Sequence, residues 1–565
     1  MMNRKVLVIG LDGGTFNILD PLMEKGKLPH IRKIMDTGFR SVLLSTVPPV
    51  SAPAWASFIT GKNPGKHGIL QFYDVGPVPM AKSQTEVELR PGDFAIVNAK
   101  SIKARTLWQI AGEAGRKMVI INVPMTYPPA PVNGIMITGL LTPPDSTHFT
   151  YPPELAASLK GYEIDLPPGE RDFDFPDKRR LIERQRAILE KRWEISIRLM
   201  KEFDWDLFTV VFTGTDRLQH RFWQCLVPSA NGDPAEWGEY HGLLEEYYER
   251  LDWMVGDLVQ QAGEDVYTII LSDHGFGPMP QREVNTRLLL KELGVVNQAG
   301  GRNWATFLRS FLNGIGLDAQ NRQKYLGKVT PRAWLRKAEQ VGLEHVWSVS
   351  KARVVTLHTY IGGIWINVKR SEKDGLAESD MYYERLCDQL ISNLRELQDP
   401  INGTKIASKV FKREELYTGE SLRKIPDLVF MLSPNYKLSG GAVHSDSFVS
   451  KEATLSVIQG DHLPEGILMI SGKGVRNLRS QTDFKIEDAT ATILYLLGLP
   501  IPTDMDGRVV SDAFDANFLQ RNAIEFVEIS SPSEPSKIGV TSPRWESEED
   551  QKSVEERLRS LGYLD

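Results

Sequence analysis

The acids and histidines of this chain collect where its apolar runs stop. Lys5-Val-Leu-Val-Ile-Gly-Leu11 leads into Asp12, and the run from Leu207 to Thr215 leads into Asp216, with His220 four residues on. A third run, Val266 to Ser272, leads into Asp273 and His274. Carboxylates and imidazoles in mixed sets suit divalent cations, and this many donors suits more than one ion. An Asp and a His at i and i+4, opening a helix, project from one face and can grip one cation together. Asp273 and His274, side by side at a strand end, are costly to bury unless something charged binds them. His462, in Gly460-Asp-His-Leu-Pro-Glu-Gly466, precedes another apolar run. Asp12 lies in Gly10-Leu-Asp-Gly-Gly14, where glycine lets backbone approach a ligand closely. Each residue alone has a plainer reading: Asp216 as a helix cap, Asp12 as a turn cap, His220 and His462 as solvated side chains. As a set they make two groups of nitrogen and oxygen ligands.

A nucleophile is the next requirement. Ser51, in Pro48-Pro-Val-Ser-Ala-Pro-Ala-Trp55, precedes a helix expected over Ala54–Thr60. Free amides and the helix dipole at such a terminus favour an anionic group such as phosphate. The plainer reading is a serine cap with Pro53 in the first turn. A serine hydroxyl attacks poorly unless a base or metal activates it. No His or Lys adjoins Ser51 in sequence, so a cation is the simplest activator. Two glycine-rich stretches are not nucleotide loops. Gly61-Lys-Asn-Pro-Gly-Lys-His67 is one residue short of a phosphate-binding loop and ends in His67 rather than Ser or Thr. Gly10-Leu-Asp-Gly-Gly14 puts an acid where a dinucleotide's pyrophosphate would lie.

These side chains need a scaffold that gathers strand ends. The apolar runs are β-branched and aromatic and bounded by glycine, which reads as buried strands of a parallel sheet. Carboxyl ends of such strands share one rim, where ligands bind in open α/β folds. The expected fold is therefore α/β: a mostly parallel sheet sandwiched by helices, with an inserted cap subdomain. Helices are expected around Ile31–Met35, over residues 177–203 and from Asp488 to Leu497, and strands over 117–123, 363–368, 427–432 and 466–471. Residues 143–175, rich in Pro and Asp, read as a loop or linker. Residues 291–425 break the alternation and read as the cap, with helices near 303–313 and 378–397. The core is then 1–290 together with 426–528. The Ser- and Pro-rich segment 529–546 reads as an extended linker to a C-terminal helix over 546–561, whose Leu561-Gly-Tyr-Leu564 tip docks.

Bulk properties narrow the function classes. At 565 residues the chain exceeds what one simple core supports, so a large core with insertions or two domains is expected. A net charge of −6 gives no global attraction to nucleic acid or anionic membranes, and no nucleic-acid-binding surface is evident. Two cysteines, Cys225 and Cys387, cannot build a disulfide framework or a cysteine-rich zinc site. The N-terminal apolar run is too short for a signal-peptide core, and no run approaches the roughly 20 residues of a membrane span. The reading is a soluble, cytoplasmic protein.

The motifs G-L-D-G-G, P-P-V-S-A-P-A-W, T-G-K-N-P-G-K-H-G, T-D-R-L-Q-H, S-D-H-G and G-D-H-L-P-E-G occur in that order. The chain thereby resembles the alkaline phosphatase superfamily, in its type I phosphodiesterase/nucleotide pyrophosphatase branch. Later segments, I-E-D-A-T-A-T-I-L-Y-L-L-G-L-P and D-M-D-G-R, look like the same branch. The resemblance implies one zinc ion held by Asp216, His220 and His462, and another held by Asp12, Asp273 and His274 with the Ser51 oxygen beside it. Mixed Asp/His sets accept manganese as well. It further implies hydrolysis of a small phosphorylated substrate, a phosphodiester or nucleotide pyrophosphate, through a phosphoseryl intermediate on Ser51. Relatives in this branch usually carry Thr at the position of Ser51 and Asn three residues on. Here Ala54 removes the Asn, so an oxyanion donor must come from elsewhere. A sulfatase would need Arg where Trp55 stands. A phosphomonoesterase or phosphosugar mutase on the same scaffold, and a non-catalytic protein sensing a phosphorylated ligand, are the remaining alternatives.

Overall fold

The computed structural model describes residues 4–74, 95–166, 178–227, 237–295, 352–366, 377–439, 447–450, 458–528, 545 and 547–560. Its strands, in chain order, begin with β1 (Lys5–Leu11), β2 (Phe39–Leu44), β3 (Met118–Val123), β4 (Gly134–Thr138) and β5 (Thr150–Tyr151). Next come β6 (Leu207–Phe212), β7 (Val266–Leu271), β8 (Gly275–Pro278), β9 (Arg282–Asn285), β10 (Ala352–His358) and β11 (Ile361–Ile366). Then follow β12 (Ala407–Lys412), β13 (Leu428–Leu432), β14 (Tyr436–Ser439), β15 (Gly460–Leu463), β16 (Glu465–Ser471), β17 (Leu478–Arg479) and β18 (Phe484–Lys485).

Ten of these form the main sheet among the described residues, in the order β17-β2-β16-β7-β1-β6-β3-β4-β5, with β18 also on β2. The centre, β7-β1-β6-β3-β4, is parallel, whereas β16 runs antiparallel to both β7 and β2. Period-2 alternation explains why the central strands are apolar throughout. Val6 and Val8 of β1 pack into one core, under the helices Ser51–Thr60 and Ile486–Leu496. Leu7, Ile9 and Leu11 pack into the other, under Phe16–Glu24, Lys178–Glu202 and Trp237–Ala262. Both faces are covered, as the sandwich reading required. No helix among the described residues is long and apolar enough to cross a membrane.

Register fixes the rim. Leu11 lies opposite Phe212, and Gly10 opposite Leu271, so Asp12, Asp216 and Asp273 all leave the sheet at the same level. Gly10 is needed here because a Cβ would stand 2.7 Å from the Trp55 ring.

A second, four-stranded antiparallel sheet has the order β10-β11-β13-β12, with the helix Ala377–Glu396 packed on it. The strand expected at 427–432 forms, but in this small sheet rather than in the main one. Its partners are β11 on one edge and β12 on the other. Residues 143–166 are more than a linker: Thr150–Tyr151 pairs with β4, and Asp165 is buried, while 167–175 lie outside the described residues. Trp545 departs from the extended-linker reading of 529–546. It is buried, stacks on Tyr127 with centroids 6.0 Å apart, and donates its indole N–H to Ile96 O at 3.1 Å. The C-terminal helix forms over Glu548–Ser560. The helix expected near 303–313, the remainder of 529–546 and the 561–564 tip lie outside the described residues.

Candidate metal centre

All seven residues singled out from the sequence meet at the rim. Asp12, Ser51, Asp216, Asp273, His274 and His462 are at most 2% exposed, and the His220 side chain is 12% exposed. His274 is the hub. Its Nε2 lies 3.3 Å from Asp273 Oδ2, 3.7 Å from Asp12 Oδ1, 4.0 Å from Asp216 Oδ1 and 3.3 Å from Ser51 Oγ. A second group closes around Asp216, whose Oδ1 is 3.1 Å from His462 Nε2 and 3.5 Å from His220 Nε2. The two imidazole Nε2 atoms of that group are 3.0 Å apart.

Local structure aims each side chain. Asp216 and His220 occupy one face of the helix Gly214–Leu226. His462 is brought against His274 because β15 pairs with β8, His462 lying opposite Phe276. Gly13 takes φ +66, a left-handed conformation that favours glycine, and its N–H donates to Asp273 Oδ1 at 3.2 Å. The helix expected from Ala54 begins earlier, at Ser51, with Val50 as its cap. Ser51 is therefore not a capping side chain, and its hydroxyl faces His274 instead.

The imidazoles share one orientation. Nδ1 of His220, His274 and His462 lies 3.0, 3.1 and 2.9 Å from the carbonyls of Gly460, Gly275 and Pro49. A carbonyl only accepts, so each Nδ1 carries a proton and each Nε2 faces the cluster. Burial holds the His462 pKa down, to about 3, with His274 and His220 adding to it, so that ring is neutral at physiological pH. Burial, together with the neighbouring carboxylates of Asp273 and Asp216, pushes Asp12 well above the usual carboxylate range. Burial raises Asp273 too. For Asp216 burial acts in the same direction, but His220, the His462 hydrogen bond and Arg217 outweigh it and hold the carboxyl well down. Asp12 Oδ1 and Asp273 Oδ2 are buried with no hydrogen-bond partner among the described residues. Crowded acids with orphaned oxygens, facing imidazole nitrogens, fit divalent cations and little else. Two sets have ligand atoms all within 4.8 Å of one another: Asp12, Asp273 and His274, and Asp216, His274 and His462.

The family description "Type I phosphodiesterase / nucleotide pyrophosphatase" matches residues 6–462. The chain belongs to this family. Its members are metal-dependent hydrolases acting on phosphate ester bonds, and this phosphodiesterase-family chain is an enzyme of that class. No protein of curated function matches it in sequence. Among solved structures, phosphonoacetate hydrolase from Sinorhizobium meliloti 1021, in complex with phosphonoformate, is 16% identical with a TM-score of 0.50. The match covers 88% of this chain and 95% of that one, and shows a shared fold. An inactive variant of murine ectonucleotide pyrophosphatase/phosphodiesterase 5 with AMP is 14% identical, with a TM-score of 0.47, over 91% of this chain and 100% of that one.

Several supporting residues of this family member gave no signal in the sequence. Trp55 donates its indole N–H to Asp12 Oδ2 at 3.4 Å. Arg217 donates to Asp216 Oδ2 at 2.7 Å and to Asp165 Oδ2 at 2.8 Å, all three side chains being buried. The Thr215 hydroxyl donates to Asp12 O at 2.6 Å. The false phosphate loop has a structural role: His67 is wholly buried, and its Nε2 lies 3.0 Å from Ser57 Oγ.

Proposed function

We propose that this protein hydrolyses phosphodiesters or nucleotide pyrophosphates at a two-cation centre, with Ser51 as nucleophile. One cation is held by Asp216, His220 and His462, the other by Asp12, Asp273 and His274 with Ser51 Oγ beside it. Zinc suits these mixed sets, and manganese is the alternative. The single observation that carries the reading is the convergence of three imidazole Nε2 atoms and three carboxylates at one rim, with the Ser51 hydroxyl 3.3 Å from His274 Nε2.

When bound, such cations lower the pKa of a neighbouring hydroxyl and neutralise charge on phosphoryl oxygens. The chain's own residues supply the rest. The helix Ser51–Thr60 holds Ser51 Oγ rigidly at its first turn, 3.3 Å from His274 Nε2. Amides of Ser51 and Ala52 precede the first helical hydrogen bond, from Ala54 N to Val50 O, and so favour an anionic oxygen. Attack forms an Oγ–P bond as the bond from phosphorus to the leaving oxygen breaks. Water then cleaves the phosphoseryl ester and returns the serine. Burial of the cluster keeps bulk water from competing in the first step.

Ser51→Ala should lower turnover at least 1,000-fold and leave bound metal unchanged. The check is a metal-reconstituted activity panel of bis-(p-nitrophenyl) phosphate, p-nitrophenyl phosphate, pyrophosphates, a sulfate ester and phosphonoacetate, with elemental analysis. Near-normal hydrolysis by the variant would refute the nucleophile. A monoester preference in the unaltered protein would replace the diesterase reading with the phosphatase one.

A further inference from the structure

The turn between β10 and β11 carries a second polar cluster against the metal centre. The His358 side chain is 8% exposed, its Nε2 lies 3.4 Å from Asp461 Oδ1, and its ring stacks on His462 with centroids 5.5 Å apart. Tyr360 meets the His358 ring edge-on at 5.0 Å. The turn is firmly seated. Leu438 N donates to Thr359 O at 2.7 Å, Leu432 N donates to Tyr360 O at 2.8 Å, and the Gln71 side-chain amide donates to Leu357 O. Three atoms of the cluster are nevertheless buried without a hydrogen-bond partner among the described residues: His358 Nδ1, Tyr360 Oη and Asp461 Oδ2.

Unpaired buried polar atoms are expensive and rare, so three in one cluster beside an active centre mark a place that a ligand completes. Their chemistry is restrictive. The Asp461 carboxylate accepts, which puts the His358 proton on Nε2 and leaves Nδ1 as an acceptor. Two acceptors and one phenol require a ligand with O–H donors that can also accept. Neighbouring hydroxyls do both. An alkyl or aryl group would leave all three atoms unpaired, and an ammonium could not accept from the phenol.

We propose that the His358–Tyr360 turn, with Asp461, is a recognition subsite for a hydroxyl-bearing organic group, a sugar or polyol, on the phosphate ester. The proposal rests on the reading of the adjacent centre as a phosphate-ester hydrolase site. A site built to bond hydroxyls rejects the analogue that lacks them far more strongly than an apolar pocket could.

The test is calorimetric binding of glycerol 1-phosphate and of propyl phosphate to the zinc-loaded, full-length Ser51→Ala protein. Glycerol 1-phosphate should bind at least tenfold more tightly. Adding Tyr360→Phe, or separately His358→Phe, should cut that preference below threefold and leave propyl phosphate within twofold of its starting affinity. Equal affinities in the parent would overturn the subsite. Equal losses for both ligands in the variants would overturn it too, and would assign the turn to holding His462. Turnover of the 2,3-dihydroxypropyl and propyl esters of p-nitrophenyl phosphate by the unaltered enzyme tests the hydrolase reading separately. If neither is cleaved while the binding preference persists, the hydrolase reading fails and the subsite stands.

Discussion

Individual side chains in this centre are set by partners that themselves bind nothing. Three backbone carbonyls choose the tautomers of His220, His274 and His462, and the Trp55 indole restrains Asp12. Such outer partners typically change metal affinity by about 10- to 100-fold. Trp55→Phe keeps the ring and removes the donor, so zinc affinity should fall within that range while the melting temperature of the metal-loaded protein barely moves. Competition with a chromogenic chelator reads this directly, and an unchanged affinity would remove the indole from the site. The Asp165–Arg217–Asp216 chain gives a stability prediction at the same scale. Arg217 bridges two buried carboxylates. Asp165→Asn would remove the charge of one of them, at a cost of about 3 kcal/mol. Urea denaturation of the chelated protein should show that loss.

At the scale of elements, the helix Ile486–Leu496 closes one face of the main sheet and begins with two acids that behave differently. The helix starts two residues before the expected Asp488, which sits in its first turn and accepts from Lys485 N and Arg508 N, both at 2.8 Å. Glu487 is buried, and burial lifts its pKa from 4.5 to about 7. A carboxyl raised in the folded state binds its proton more tightly there than in the unfolded chain. Its unfavourable contribution is therefore absent below pH 4.5, grows as pH rises, and is complete above pH 7. Glu487→Gln should thus stabilise the protein at pH 8 by roughly 2 kcal/mol and make little difference near pH 4.5. Denaturation curves at the two pH values decide it, and a constant gap would refute the burial argument. The elements themselves were largely legible. Runs such as Val266–Leu271 are continuously apolar because both faces of the strand are covered, and that leaves a mark in the sequence. Trp55, Arg217 and His358 left none, because their roles depend on neighbours from distant segments, which no local period records. Leu428–Leu432 reads as a core strand for the same reason: apolarity reports burial, not which sheet does the burying.

Across the whole molecule, the C-terminal helix belongs to the core. Val554 and Leu558 are fully buried in the same core as Trp55, and Arg557 donates to Thr142 O at 2.6 Å. Removing residues 529–565 would uncover that apolar surface and the Trp545 seat on Tyr127. The truncated protein should lose several kcal/mol of stability, seen as a melting temperature at least 8 °C lower by calorimetry. An unchanged value would make the helix an appendage. The antiparallel strand β16 has a different bearing. It is wedged between β2 and β7, yet it starts at Glu465, long after β7 ends at Leu271 and β2 at Leu44. While a ribosome is still making this chain, two bare apolar edges wait for their filler, each able to pair with the wrong partner. Synthesis of the first four hundred residues therefore yields a sticky intermediate, and holdase chaperones should associate with it until the late strand emerges and seals the gap.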